Sequence, residues 1–196
     1  MKYGCIGKKL AHSFSKDIHS YLASRDYELT EVQPEDLHDF MTRRDFCGIN
    51  VTIPYKQAVI PYLDNISEEA ERIGAVNTIV NNGGKLSGYN TDLGGMCGML
   101  QKAGIDLLGR KVLILGTGGT SNTAYAAAEK LGAAQIYKVS RTGRDGACTY
   151  QQAYSEHADA QIIINTTPCG MYPDSDDMPI DLGGFKHLEG VADVIF

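Results

Sequence analysis

The chain of 196 residues has room for one large domain or two small ones, and is long enough to bury a core without a disulfide or metal staple. It is 43% hydrophobic and 21% charged, with a mean hydropathy of -0.21, and no apolar run approaches the roughly eighteen residues a membrane span needs. The formal charge of -6 and a pI near 5.3 argue against a nucleic-acid scaffold, while leaving room for a local basic pocket that holds a phosphate.

In chain order, Lys2–Gly7 predicts a short strand ending in glycine. Ser15 opens a helix whose Ile18 and Leu22 recur at helical spacing, and Arg25-Asp26 ends it. Tyr27–Val32 reads as a strand. Pro34-Glu35-Asp36 starts a helix, with proline and acids suited to its first turn, and Leu37, Phe40 and Met41 form its apolar face. Gly48–Ile53 is a β-branched strand closed by Pro54. Short helices follow at Gln57–Leu63 and Ser67–Ile73, the second capped by Ser67. Thr78–Val80 and Lys85–Tyr89 form a hairpin around Asn82-Gly83-Gly84, and Asp92 caps a helix running to Ala103, with Gly104 at its end.

The second half changes character. Lys111–Leu115 is a continuous apolar strand of the kind found in a parallel sheet covered on both faces. It enters a glycine cluster, Gly116-Thr117-Gly118-Gly119-Thr120-Ser121, followed by an alanine-rich helix from Ser121 to Leu131. Gln135–Ser140, a helix at Tyr150–His157, Ile162–Asn165 and a strand at Val191–Phe196 complete an alternating β-α series. The expected fold class is α/β: an α/β substrate domain over residues 1–105, and a Rossmann-like, doubly wound parallel sheet over 106–196.

Five scattered cysteines, Cys5, Cys47, Cys97, Cys148 and Cys169, form no C-x-x-C pair. With no apolar signal core in Met1-Lys2-Tyr3-Gly4-Cys5, they read as reduced thiols of a cytoplasmic protein. His12 and His19 share helical spacing, but no further ligand completes a metal set.

The glycine cluster follows a buried strand and opens a helix, the context in which the backbone approaches a pyrophosphate and free helix N–H groups meet it. Its G-x-G-G-x-S pattern assigns Gly116, Thr117, Gly118, Gly119 and Thr120 to a dinucleotide. At the end of the next strand, Ser140, Arg141, Thr142 and Arg144 replace the acid that holds an NAD ribose, which favours the 2′-phosphate of NADP. A solvated basic loop is the plainer alternative.

The first half holds four polar motifs: His12-Ser13-Phe14-Ser15, Asn50-Val51-Thr52-Ile53-Pro54-Tyr55-Lys56, Ala75-Val76-Asn77-Thr78 and Gly88-Tyr89-Asn90-Thr91-Asp92. With the glycine cluster and Asn165-Thr166-Thr167-Pro168-Cys169-Gly170-Met171, their order and spacing closely resemble the shikimate dehydrogenase family over nearly the whole chain. The resemblance implies reversible NADPH-dependent reduction of 3-dehydroshikimate to shikimate, on the way to chorismate and the aromatic amino acids. It implies Ser13 and Ser15 on the substrate carboxylate, Thr52 and Asn77 on the substrate, Lys56 and Asp92 as the catalytic pair, and Thr167 at the cofactor. The family includes monomers and homodimers. Lys56 also suits a solvated turn, Asp92 a plain N-cap, and Ser13 and Ser15 caps of the first helix. Asn90 and Thr91 read as structural supports, and Tyr55 as packing.

Three departures from the family pattern stand out. Ser140 replaces an asparagine, the second arginine comes early at Arg144, and Phe196 stands where many relatives place a tyrosine. Relatives continue for several dozen residues beyond that point, so the chain is expected to be C-terminally truncated. NAD-dependent quinate/shikimate dehydrogenase and an inactive nucleotide-binding fragment are the competing readings.

Overall fold

A computed structural model describes residues 1–11, 13–23, 26–172 and 175–195. The expectations that fall on His12, Arg25 and Phe196 lie outside the described residues. The chain separates into two compact units, Met1–Thr91 and Asp92–Phe196.

The first unit is built on a six-stranded mixed sheet. Its strands are β1 (Tyr3–Gly7), β2 (Glu28–Glu31), β3 (Gly48–Val51), β4 (Asn65–Ile66), β5 (Thr78–Asn82) and β6 (Lys85–Tyr89), in the order β2-β1-β3-β5-β6-β4. β1 lies parallel to β2 and β3, whereas β5 is antiparallel to both β3 and β6. The β5–β6 turn has two residues, Gly83 and Gly84, both at positive φ, which fits the right-handed twist of a tight hairpin. Helices α1 (Ser15–Ala23), α2 (Leu37–Arg43) and α3 (Glu68–Ile73) complete the unit. Ser67 caps α3 by accepting the Ala70 amide at 3.3 Å, as its position predicts. Ile6, Met41, Val51, Ile79 and Leu86 sit in one buried core.

One predicted helix of this unit is not an α-helix. Gln57–Leu63 forms turns and a 3-10 segment at Ile60–Tyr62, because Pro61 has no amide for an α-helical bond.

The second unit carries a five-stranded, wholly parallel sheet: β7 (Lys111–Leu115), β8 (Gln135–Ser140), β9 (Cys148–Thr149), β10 (Ile162–Asn165) and β11 (Gly190–Asp193), in the order β11-β10-β7-β8-β9. Its helices are α4 (Asp92–Lys102), α5 (Gly119–Lys130) and α6 (Tyr150–Glu156). α4 starts at Asp92 itself and packs on α5, which groups it with the second unit. From β7 the chain winds outward to β8 and β9, then returns to the other side of β7 as β10. This reversal creates a topological switch point at the carboxyl ends of β7 and β10, where open α/β sheets bind ligands. Val112–Leu115 and Ile162–Ile164 are all at most 1% exposed, which accounts for their unbroken apolar runs.

Leu113→Ala removes a fully buried side chain from the β7 core. It should lower the unfolding free energy of the second unit by about 2–5 kcal/mol. A urea midpoint equal to that of the parent protein would contradict this packing.

Candidate functional site

Strand direction gathers the polar motifs of the first unit at one end of its sheet. β1 and β3 run parallel and finish there, β5 runs against β3 and starts there, and β6 runs against β5 and finishes there. The segments leaving or entering this end therefore carry Ser13 and Ser15, Thr52 and Lys56, Asn77, and Asn90 and Thr91.

A connected set of side-chain hydrogen bonds crosses these strand ends. The Tyr27 phenol donates to Asn50 Oδ1 at 2.6 Å, and Asn50 Nδ2 donates to Thr78 Oγ1 at 3.2 Å. Thr78 Oγ1 donates to Asn77 Oδ1 at 3.0 Å, Asn77 Nδ2 donates to Thr91 Oγ1 at 3.0 Å, and the Thr91 amide donates back to Asn77 Oδ1 at 3.0 Å. Asn77 is 7% exposed, so its carboxamide must find partners in the protein rather than in water. Asn90, also buried, donates to the Ala75 carbonyl at 3.0 Å. Asn90 and Thr91 thus brace the Ala75–Asn77 segment, as their structural reading anticipates.

Lys56 follows a turn in which the Tyr55 amide donates to the Thr52 carbonyl at 2.9 Å. Tyr55 is buried, and its phenol donates to the Val32 carbonyl at 2.6 Å, so it pins this turn to the core. The Lys56 carbonyl accepts the Val76 amide at 2.7 Å. A single segment, Ala75–Asn77, therefore holds the backbone of Lys56 and binds Thr91, the residue that precedes Asp92.

Thr52 hydrogen-bonds through its amide to the Ile6 carbonyl at 2.9 Å. A Cβ at Gly7 would come within 2.7 Å of the Thr52 methyl, so this close approach requires glycine. Ser13 accepts the Ser15 amide at 3.3 Å through its Oγ and so caps α1, while its hydroxyl hydrogen stays available as a donor.

Two participants were not legible as site residues in the sequence. Burial pushes the Tyr27 phenol up, with the neighbouring Cys5 thiol acting in the same direction and Ser15 against it. Burial likewise pushes the Cys5 thiol up, opposed by the Lys56 charge and the Tyr27 hydrogen bond. Cys5, Ser15, Tyr27 and Lys56 consequently share one neighbourhood. Tyr27 reads in the sequence only as an apolar position at the start of a strand, and its ring stacks on His19 at 4.0 Å.

In the second unit, the switch point brings the glycine cluster to Thr166 and Thr167. Gly116 has φ +111°, and a Cβ there would lie 2.8 Å from Thr166 Oγ1 and 3.3 Å from the Thr167 methyl. Gly118 and Gly119 differ from it: a Cβ at either would project into open space. Gly118 caps α5 without a side chain, leaving first-turn amides exposed to a ligand. The Ser121 hydroxyl in that turn is fully buried and has no hydrogen-bond partner among the described residues. Open glycine surface, helix amides and an orphaned hydroxyl fit a dinucleotide pyrophosphate.

At the end of β8, Ser140 Oγ accepts the Gly143 amide at 3.0 Å and closes the turn. Arg141, Thr142 and Arg144 are exposed around it. Thr167 is more constrained than its motif implies. Its hydroxyl donates to Asn165 Oδ1 at 2.7 Å and accepts the Cys169 amide at 3.3 Å, so its proton is already committed. Asn165, 2% exposed, also accepts the Thr167 amide at 3.0 Å and donates to both Asp193 carboxylate oxygens at 3.1 Å. The sequence places Asn165 in a motif without showing that it ties β10, β11 and the 166–169 loop together.

Asn165→Ala would leave the Thr167 hydroxyl and the Asp193 carboxylate without this partner. The expected cost is about 1–3 kcal/mol, read as a lower thermal midpoint. An unchanged midpoint would remove Asn165 from this structural role.

Known proteins resemble this chain in sequence and in fold. Residues 5–79 match the family model described as the shikimate dehydrogenase substrate binding domain. The chain is 38% identical over 211 residues to the NADP(+) shikimate dehydrogenase of Clostridium beijerinckii, covering 99% of this chain and 77% of that protein. It superposes on the crystal structure of shikimate dehydrogenase 1 from Peptoclostridium difficile with a TM-score of 0.89 at 35% identity, covering 100% of this chain and 78% of that one. The shikimate 5-dehydrogenase of Thermus thermophilus, solved in complex with NADP(H) and shikimate, gives a TM-score of 0.85 at 29% identity, covering 100% of this chain and 78% of that one. With the polar strand ends of the first unit and the glycine loop of the second aligned to relatives over more than three-quarters of their length, this chain belongs to the shikimate dehydrogenase family.

Proposed function

We propose that this chain carries out the reversible reduction of 3-dehydroshikimate to shikimate with NADPH, supplying the pathway to chorismate and the aromatic amino acids. The observation that carries the reading is the Ala75–Asn77 segment. It holds the Lys56 carbonyl through the Val76 amide at 2.7 Å, and it holds Thr91, next to Asp92, through the Asn77 side chain at 3.0 Å. By role, residues 1–105 form the substrate-binding catalytic domain, which takes in Asp92, and residues 106–196 form the NADP-binding domain. All five cysteines are free, which supports a reducing, cytoplasmic location.

The donor set suits a polyhydroxylated carboxylate. The Ser13 and Ser15 hydroxyls donate to the substrate carboxylate, and Thr52 and Asn77 take ring hydroxyls. NADPH, when bound, supplies the hydride. As negative charge builds on the substrate ketone oxygen, the Lys56 ammonium stabilises it and delivers the proton that completes the alcohol. In the oxidative direction the neutral Lys56 amine takes the hydroxyl proton. The Asp92 carboxylate is the second member of the catalytic pair and accepts from a substrate hydroxyl.

On the nucleotide side, Gly116, Gly118 and Gly119, with the amides of Thr117 and Thr120, cradle the pyrophosphate. Ser140, Arg141, Thr142 and Arg144 receive the 2′-phosphate, where charge-assisted bonds favour NADP and the missing acid removes the usual NAD contact. Thr167, whose proton is used internally, offers its remaining lone pair to a donor on the cofactor.

Absorbance loss at 340 nm on mixing the protein with NADPH and 3-dehydroshikimate tests the reading. Turnover with shikimate and NADP should exceed turnover with quinate and NAD; the reverse order would replace this assignment with a quinate dehydrogenase. Lys56→Ala should lower kcat by about a hundredfold or more, and retained activity in that variant would remove Lys56 from the chemistry.

A further inference from the structure

β8 places a lysine where its neighbour in the sheet is apolar: Lys138 pairs in register with Ile114 of β7. Its side chain is half-buried beneath α5. There Nζ donates to Asn122 Oδ1 at 2.6 Å and lies 5.5 Å from the centroid of the Tyr125 ring. Both partners are neutral, and no carboxylate among the described residues forms an ion pair with it.

This is an unfavourable place for a cation. Asn122 belongs to the first turn of α5, its amide still bonded to the Gly118 carbonyl at 3.3 Å. The ammonium therefore sits near the positive end of the helix dipole, where negative charge is favoured. Burial opposes the charge as well, and holds the lysine below its ordinary range. An ammonium has three donors and Asn122 uses one. What would relieve this arrangement is an anion arriving from outside the chain.

Position identifies the anion. In a strand, residues two apart share a face about 6.7 Å apart, so Lys138 lies one step below Ser140 on the α5 side of β8. Ser140 begins the Arg141–Arg144 loop. The glycine cluster follows β7, which pairs in parallel with β8, so both segments leave the sheet at the same end. We propose that Lys138 is a specificity-determining residue for the nucleotide, its Nζ donating to the 2′-phosphate of NADP. This rests on the NADP reading above and extends it from the exposed loop to a cation fixed within the fold. The early position of Arg144 is then offset by a positive charge held on the strand itself.

Isothermal titration of the whole chain with NADPH and with NADH, without substrate, tests this independently of turnover. The parent protein should bind NADPH more tightly. Lys138→Met should weaken NADPH binding by about tenfold or more, the usual scale for losing a charge-assisted bond, and leave NADH binding unchanged. NADH binding also reports that the variant is folded. Lys138→Arg, which keeps the charge, should retain most of the preference. A parent protein with no preference for NADPH would overturn the NADP reading itself. A parent preference that survives Lys138→Met, or an equal loss for both dinucleotides, would overturn the role of Lys138 alone.

Discussion

Both units depend on the same constraint: a polar side chain buried at a strand end must place its hydrogen bonds within the protein. Asn77 and Asn165 are the two cases. Each is nearly buried, each adjoins or ends a strand, and each directs both sides of its carboxamide to neighbouring loops. An unsatisfied amide in such a position costs about 1–3 kcal/mol, so the loops around each asparagine are fixed as a set. Asn77 fixes the entry to β5 and the exit from β6. Asn165 fixes the exit from β10 and the end of β11. The loops that carry functional groups are rigid because these bonds have no alternative in water.

The same requirement decides which hydroxyls remain for a ligand. Thr78, Thr91 and Thr167 are largely committed to the two carboxamides, so they shape the site more than they contact anything in it. Ser13 accepts an amide but keeps its proton, which leaves it competent to donate to a carboxylate. Motif residues that look equivalent in the sequence thus divide into those that bind the chain and those that can bind substrate. The division follows from counting donors and acceptors, not from position in the motif.

Much of the fold was legible because its signals are local. β-branched runs, the two-glycine hairpin, the Ser67 cap and the alternation of the second half all act over a few residues. The two-residue strands β4 and β9 left no such trace, since they exist only through pairing with β6 and β8. α5 begins at Gly119, two residues before the alanine-rich stretch that announces it, because the glycine loop runs directly into its first turn. Of the site, the glycine cluster and the chemistry-bearing motifs were legible as patterns. Tyr27 and Lys138 were not, because the partners that give them meaning, Asn50 and Asn122, lie 23 and 16 residues away.

The two lysines differ in what surrounds them. Lys56 sits near Cys5 and Tyr27, at the strand ends where the hydroxyls and carboxamides of the first unit gather. Lys138 is set differently, against a carboxamide oxygen that accepts its N–H and an aromatic face that favours a cation. Desolvation and the helix dipole oppose that charge, while these fixed partners sustain it. A lysine held this way is suited to electrostatic recognition, the role proposed for it at the nucleotide, whereas the role proposed for Lys56 in the first unit is proton transfer.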